Sequence, residues 1–529
     1  MLFTSSAFLL YLAMLMAAYS LTPQKCRWAV LLLGSLVFYA FSGPHFLLYI
    51  CSTSVVSYVC AMRIAQLKDR RKAASSGLSD REQKRALRAK FEGYSRKWMA
   101  LCLVIILGAL AVVKYTDFVI ANTNSLLEIF GFQARIGFMR FALPMGISFY
   151  TFQTAGYIVD MHWGKADFER NIFKHTLFVS FFPQVIQGPI SRFGSLTEEL
   201  YSGAPITRGS FSRGAQRILW GFFKKLVIAD RLWPALAVLT ASPEEYQGAY
   251  YLLSVALYAI ILFCDFTGGI DIAIGAAEIF GIRLAENFDR PFYSRSIQEY
   301  WQRWHMTMGS WFRDYVFYPM SVSPRMLRFT KWSKRVFGEG AGKRLPLHIT
   351  LTCVWFLTGL WHGATWNFIA WGLANGVVIM ISVELEPLYG RFRKRFPGLS
   401  GNFAYKAFQV FRTFWLMSFI RSFDIYEGVG NTFRMMLSVF TNFGAADFMA
   451  RGVSGLPLHT AEYFAAGAGL LVVFWASWLA RGGTDHRDRI AAFPWQLRYA
   501  VVGLMLFMTL ILGAYGTGYD ARQFIYNQF

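Results

Sequence analysis

The sequence predicts an all-α polytopic membrane protein, and three observations lead to that fold class. Of its 529 residues, 55% are hydrophobic and only 16% are charged, whereas an average soluble domain carries about 25% charged residues. The charges cluster in short tracts, and long uncharged runs lie between the tracts. A hydrocarbon core about 30 Å thick requires roughly 20 apolar residues per helix, so these runs predict about ten to thirteen membrane helices.

The first 140 residues are predicted to form N-terminal helices around a basic cytoplasmic segment at residues 63–98. Uncharged runs at residues 5–21, 28–41 and 46–61 come first, and Gly43-Pro44 predicts a tight turn between the second and the third. The first run lacks a basic leader region, so we expect a retained helix and not a cleaved signal peptide. The net charge of +22 comes from basic tracts between the apolar runs. Such tracts are typical of cytoplasmic loops beside membrane helices, so the charge does not require nucleic-acid binding. This charge pattern predicts that the N-terminus is extracytoplasmic.

Residues 141–385 are predicted to form the catalytic core, and residues 386–529 a set of C-terminal helices. From 141 to 190 the apolar sequence is interrupted by prolines and glycines, namely Pro144, Gly146, Gly156, Pro183, Gly188 and Pro189. Broken helices at membrane depth occur where protein buries them or where they line a cavity. This stretch is therefore expected to form the wall of a cavity. Spans are predicted at 219–239 and 250–274, and an interfacial or re-entrant helix at 296–320.

His362 is the sharpest candidate for chemistry, because polar groups at membrane depth are costly and usually functional. It lies eighteen positions after Arg344, the last charge of a basic tract, and a straight helix of that length rises about 27 Å. Gly359 and Gly363 permit close backbone approach, and Trp355 and Trp366 are expected on the same helical side as His362. A neutral imidazole there suits a general base for acyl transfer to a hydroxyl. The alternative is a packing histidine that hydrogen-bonds to a backbone carbonyl.

His305 is the second candidate, in a segment rich in tryptophan and arginine. Arg303 and Arg313 are suited to hold an anionic acyl donor, or else to reach lipid phosphates. His305 and His362 lack the local ligand spacing of a metal site, so no metal is predicted. Asp265 and Asp271 lie among apolar residues.

The two aspartates are expected to pair with buried arginines, of which Arg283 is one candidate, or to cap broken helices.

The chain resembles the bacterial branch of the membrane-bound O-acyltransferase family, most closely between residues 140 and 380. The stretches that carry the resemblance are FFPQ at 181–184, GPI at 188–190, DFTGGIDIAIG at 265–275, ENF at 286–288, PF at 291–292, SRSIQEYW at 294–301, RWH at 303–305, WFRDY at 311–315, LTGLWHGA at 357–364, Trp366, Phe368, Trp371-Gly372, and the C-terminal residues 524–526 and 528–529. Two stretches depart from the family pattern, YPMSV at 318–322 and FIRSFD at 419–424. They leave the subfamily, and hence the substrate, open.

The resemblance implies that His362 matches the family's catalytic histidine and that His305 matches its second, frequently required histidine. It implies a ring of membrane helices around a central funnel, with the donor entering from the cytoplasm and the acceptor from the other side. Further residues of the matching motifs are expected to bind substrate: Asn287, Arg303, Trp304, Arg313, Asp314, Trp361 and Trp366.

The resemblance also implies O-acetylation of an extracytoplasmic polysaccharide such as alginate or cellulose. The donor is expected to be acetyl-CoA or an acyl carrier, with no tightly bound cofactor. The expected setting is the bacterial inner membrane, with an extracytoplasmic acyltransferase and polysaccharide-biosynthesis proteins as partners. The alternatives are transfer of D-alanyl or lipid acyl groups, or a solute transporter. A transporter predicts an internal repeat, and the sequence contains none that we detect.

Overall fold

The computed structural model describes residues 3–480 and 485–515, and within them every regular element is a helix. The C-terminal residues 524–529, which contributed to the resemblance, lie outside the described residues. In chain order the helices are α1 (Ser6–Leu21), α2 (Arg27–Ala40), α3 (Leu47–Ser76), α4 (Arg81–Ile129), α5 (Ile147–Trp163), α6 (Ile172–Ser180), α7 (Phe182–Val185), α8 (Phe193–Leu200), α9 (Arg208–Phe222), α10 (Asp230–Ala241), α11 (Ala249–Ile279), α12 (Ile297–Arg303), α13 (Met306–Phe312), α14 (Tyr318–Ser321), α15 (Pro324–His362), α16 (Trp366–Arg395), α17 (Pro397–Gly401), α18 (Phe403–Arg421), α19 (Val429–Thr441), α20 (Ala445–Arg451), α21 (Thr460–Leu479), α22 (His486–Ala491) and α23 (Trp495–Leu512).

Six of the described helices are long and apolar enough to cross a membrane. They are the 44–76 segment that contains α3, and α4, α11, α16, α21 and α23. The predicted class, an all-α protein with several membrane spans, is confirmed. The larger number of ten to thirteen stays a prediction, since it includes shorter segments such as α1 and helices that are broken.

Contacts between Cα atoms divide the chain into two compact units, residues 1–218 with 272–285, and residues 219–271 with 286–529. The expectation of a single domain over residues 1–529, with parts that meet at residues 140 and 385, stays a prediction. In the first unit, α1, α2 and α7 meet through buried aromatic rings. The Phe3 ring centre lies 5.0 Å from that of Phe8 and 5.7 Å from that of Phe38, and the Phe38 ring lies 5.6 Å from that of Phe182.

The basic segment does not form a helix of its own. It consists of the polar ends of α3 and α4, which are joined by a short turn after Ser76. Asp80 caps α4, because its carboxylate accepts the backbone N–H groups of Glu82 and Gln83.

The predicted break in the helices between residues 141 and 190 is confirmed, since this stretch forms α5, α6 and α7. Gly146 precedes α5 with a φ of 69°, and a Cβ at this position would lie 1.6 Å from the carbonyl oxygen of Val185. No other residue fits this place. Within the same unit the Gln153 side chain donates to the Phe178 carbonyl at 2.7 Å. The buried His175 ring is 2.7 Å from the Ser57 hydroxyl, which links α6 to α3.

In the second unit, a π-helical turn at Phe223–Ala229 precedes α10, so the predicted span at 219–239 is interrupted by a widened turn. The long α15 has a kink at Gly338, where φ is 75°. α15 and α16 form a closely packed pair. The apolar residues 347–360 form the C-terminal part of α15, and His362 is the last residue of that helix.

Candidate active site

His305 lies at a sharp reversal of the chain between α12 and α13. The backbone N–H of Asp289 donates to the carbonyl of Arg303, and that of Met306 donates to the carbonyl of Asn287, both at 2.9 Å. His305 itself has a φ of 48°, a left-handed conformation that L residues rarely adopt. The predicted continuous helix at 296–320 is therefore wrong: α12 ends before His305 and α13 begins after it.

Asn287 sets the tautomer of His305. The Asn287 Oδ1 atom accepts the backbone N–H of Thr307 at 3.0 Å and the Thr307 hydroxyl at 2.9 Å. A backbone N–H only donates, so this atom is the amide oxygen. The Nδ1 atom of His305 lies 3.2 Å from the same oxygen and must therefore carry a hydrogen. In the neutral ring the Nε2 atom then holds the lone pair.

His362 is the last residue of α15, where a tight connection leads into α16. Glycines bring the two helices together. A Cβ at Gly359 would lie 2.4 Å from the Phe368 carbonyl oxygen, and one at Gly372 would lie 2.3 Å from the Trp355 carbonyl oxygen. The prediction that Gly359 permits close backbone approach is confirmed.

Both histidines are buried, and both contact the same indole. The Trp361 ring centre lies 6.1 Å from that of His305 and 5.0 Å from that of His362. The His362 ring also lies steeply inclined to that of Trp371, with ring centres 4.6 Å apart, and nearly parallel to that of Phe368 at 6.2 Å. Two segments that are distant in sequence thus place two imidazoles around Trp361.

Arg421 is a functional candidate that the sequence interpretation missed. Its guanidinium carbon lies 4.4 Å from the ring centre of Trp304 and 5.7 Å from that of Trp371. It pairs with Asp424 at 3.2 Å, and both side chains are only 5% exposed. The sequence does contain a signal for Arg421, since this charged residue directly follows the apolar run at 403–420. An ionisable group at such a place is a functional candidate by default.

Several predicted site residues pair with groups other than the two imidazoles. Arg303 pairs with Glu299 at 2.7 Å, and the partly exposed Arg313 pairs with its neighbour Asp314 at 3.0 Å. Trp366 is 58% exposed. It begins α16, so the prediction that it shares a helical side with His362 is wrong, because α15 ends at His362.

Three other predicted site residues lie beside the histidines. Trp304 directly precedes His305 in the chain, Trp361 contacts both imidazoles, and Asn287 accepts a hydrogen bond from His305. Trp355 packs against Trp301 and Trp371.

Asp265 and Asp271 pair with lysines, so the expected arginine partners are wrong. Lys224 lies 2.5 Å from Asp271 and 2.7 Å from the Thr267 hydroxyl. Lys225 pairs with Asp265 and, at 2.9 Å, with Asp230. The π-helical turn supplies both lysines.

Arg283, one candidate partner of the aspartates, pairs instead with Glu199 in the first unit.

Comparisons with known proteins agree with the resemblance. The sequence profile of the membrane-bound O-acyltransferase family matches residues 169–331, an interval that contains His305 and ends before His362. The Probable alginate O-acetylase AlgI of Azotobacter vinelandii is 32% identical over 387 residues, which cover 73% of this chain and 69% of that protein.

Two further relatives extend the comparison. The Peptidoglycan O-acetyltransferase of Helicobacter pylori is 26% identical over 85% of this chain and 82% of its own length. The Teichoic acid D-alanyltransferase of Streptococcus thermophilus is 29% identical over 54% of this chain and 69% of its own length. All three are named for the transfer of an acyl group. The chain belongs to the membrane-bound O-acyltransferase family and is an acyltransferase.

Proposed function

We propose that this enzyme moves an acetyl group from a cytoplasmic donor to hydroxyl groups of an extracytoplasmic polysaccharide such as alginate. The observation that carries the proposal is the pair of buried imidazoles, His305 and His362, which both pack against Trp361. Acyl transfer to a hydroxyl requires a base that accepts the hydroxyl proton, and an imidazole enclosed by indoles is suited to that task.

In the proposed reaction, His362 accepts the proton of the acceptor hydroxyl while the hydroxyl oxygen bonds to the carbonyl carbon of a thioester donor. The tetrahedral intermediate then expels the thiolate of the donor, and the thiolate takes the proton from the imidazolium. Atoms and charge balance, and His362 returns to its neutral form. The donor is acetyl-CoA or an acetylated carrier, and no tightly bound cofactor takes part.

His305 is proposed to orient the acceptor. Its hydrogen bond to Asn287 leaves the lone pair on Nε2, so this atom accepts a hydrogen bond from a substrate hydroxyl group. The left-handed backbone of His305 and the pairing of residues 287–289 with 303–306 fix the direction of the ring. An imidazole whose orientation and tautomer are fixed is suited to position the acceptor, because small displacements of a reacting group lower the reaction rate strongly.

Acetyl is favoured over D-alanyl by the extent of the similarity. The alginate O-acetylase of Azotobacter vinelandii aligns with 73% of this chain, and the teichoic acid D-alanyltransferase of Streptococcus thermophilus aligns with 54%. The peptidoglycan O-acetyltransferase of Helicobacter pylori, which is also named for an acetyl group and a glycan, aligns with 85%. We therefore take an acetyl group and a glycan hydroxyl as the substrates.

The proposed setting is the bacterial inner membrane. The polar, basic ends of α3 and α4 lie in the cytoplasm and the N-terminus outside, because positively charged loops are retained on the cytoplasmic side. The two substrates reach the histidines from opposite faces through a funnel. Transfer to the polymer is either direct or relayed through an extracytoplasmic acyltransferase that works with the polysaccharide-biosynthesis proteins.

The test compares acetyl ester in the secreted polymer of cells that carry the wild-type chain or the His362→Ala variant. His45→Ala is the matched control, because His45 is exposed. We expect a loss of about 10²- to 10⁴-fold in ester formation for His362→Ala, the usual contribution of a general base, at equal protein levels in the membrane. Unchanged acetylation would remove the proposal. Solute flux into proteoliposomes without an acyl donor would support a transporter instead.

A further inference from the structure

A charged cavity in the first unit has no part in the proposed reaction. It has a volume of about 270 Å³ and lies between the polar ends of α3, α4 and α5. Its lining comprises Leu67, Lys68, Arg71, Arg88, Phe91, Glu92, Ser95, His162, Trp163 and Gly164. The cavity is partly open, so a ligand can enter it from outside the protein.

Positive charge dominates the lining, with three cationic side chains against one carboxylate. Glu92 lies between two of the cations, 2.7 Å from Arg88 and 3.9 Å from Arg71. Lys68 donates to the Met161 carbonyl at the end of α5. The carboxylate orients the two guanidinium groups but neutralises only one charge, so two positive charges remain in excess.

The cavity lies where the apolar parts of the helices end. The lining residues of α3 and α4 belong to the polar extensions of helices whose other parts are apolar enough to cross a membrane. Trp163, which is 40% exposed, stands at the rim, and the Lys165 ammonium lies 4.7 Å from its ring centre. Tryptophan and lysine are typical of the level of lipid headgroups.

We propose that this cavity binds the phosphate of an anionic phospholipid headgroup. Guanidinium groups form paired hydrogen bonds to phosphate oxygens, and basic pockets between membrane helices are suited to lipid headgroups. Arg71 and Arg88 supply the donors, while Lys68 adds charge from the wall of α3. The bound lipid bridges α3, α4 and α5 at the membrane surface and stabilises their packing.

The test measures thermal unfolding of the full-length purified protein in detergent as phosphatidylglycerol, phosphatidylcholine or inorganic phosphate is added. The variant is Arg71→Gln/Arg88→Gln. The control is Lys84→Gln/Arg85→Gln, which removes the same charge from exposed positions of α4 outside the cavity. We expect phosphatidylglycerol to raise the melting temperature of the wild type and of the control. In the variant, we expect its affinity to fall about 30-fold, because two cations are lost.

Each outcome decides the proposal. An equal response of variant and control to phosphatidylglycerol would overturn it, and so would an equal effect of phosphatidylcholine on the wild type. If inorganic phosphate alone reproduces the shift and prevents further stabilisation by the lipid, the site takes a free phosphate and the lipid assignment is wrong. Unliganded melting temperatures of the two variants report whether both still fold.

Discussion

The guanidinium carbon of Arg421 lies 4.4 Å from the ring centre of Trp304, and Trp304 directly precedes His305 in the chain. The same guanidinium lies 5.7 Å from the ring centre of Trp371, which contacts His362 at 4.6 Å. One buried cation is thus in contact with an indole beside each histidine. We interpret Arg421 as a positioning residue for both.

Replacing Arg421 by alanine should destabilise the protein strongly. Asp424, whose charge Arg421 balances, is equally buried, and removal of one partner from a buried ion pair costs about 3–5 kcal/mol. Arg434→Ala is the control, since Arg434 pairs with Glu244 at an exposed site and should cost less than about 1 kcal/mol. Thermal unfolding of the purified proteins measures both effects. Equal, small shifts would show that the buried pair does not stabilise the site.

Replacing Asn287 by alanine should lower kcat for acyl transfer in addition to lowering the free energy of unfolding. The change removes the oxygen that receives the Nδ1 hydrogen of His305 and leaves buried donors without a partner, which costs about 1–3 kcal/mol. We expect kcat to fall at least about tenfold, since a misdirected imidazole no longer positions the acceptor and a misplaced reacting group can cost about 10²-fold in rate. Asn402→Ala removes an exposed helix cap and should leave kcat unchanged. A change confined to melting temperature would contradict the role of Asn287.

Gly359→Ala should disturb the packing of α15 on α16. The added methyl group would lie 2.4 Å from the Phe368 carbonyl oxygen, and overpacking of this kind costs about 1–3 kcal/mol. Gly390 lies in α16 with nothing within 4 Å of its Cβ position. Gly390→Ala should therefore stabilise the protein by up to about 1 kcal/mol through its better helix propensity. Opposite signs of the two shifts in melting temperature are the expected result, and a loss of stability in both would contradict it.

A double substitution should show that Lys224 and Asp271 stabilise each other. Lys224→Met alone leaves a largely buried carboxylate uncompensated and should cost about 3–5 kcal/mol. Lys224→Met together with Asp271→Leu removes both charges and should recover most of that loss. The measurement is thermal unfolding of the wild type, the two single variants and the double variant. Additive losses would show that the two residues do not stabilise each other.

Sequence reasoning located the local features of the site. The small residues around His362 predicted close packing, and α15 meets α16 at Gly359. The density of prolines and glycines between 141 and 190 predicted broken helices there. In these cases the physical cause lies within a few residues of the effect, so that composition and spacing are sufficient to predict it.

Long-range partners were not predictable in the same way. Lys224 and Asp271 are 47 positions apart, and nothing in local spacing distinguishes this lysine from the arginine that we expected. The left-handed backbone of His305 likewise depends on pairing with residues 287–289. The sequence around position 305 contains no local signal for this pairing, so one interfacial helix was expected at 296–320. The position of Arg421 against Trp304 also arises only when α18 packs on α12.

The π-helical turn at Phe223–Ala229 makes the length of this segment as important as its composition. Each residue of a helix adds to the rotation of the residues that follow it, so deletion of one residue here would change the direction in which the side chains of α10 point. Arg231, which donates to Glu462 at 3.2 Å and to the Leu512 carbonyl, would then face away from both. Deletion of a single residue between 226 and 228 should therefore be as damaging as loss of a lysine, although every side chain named above would still be present in the chain.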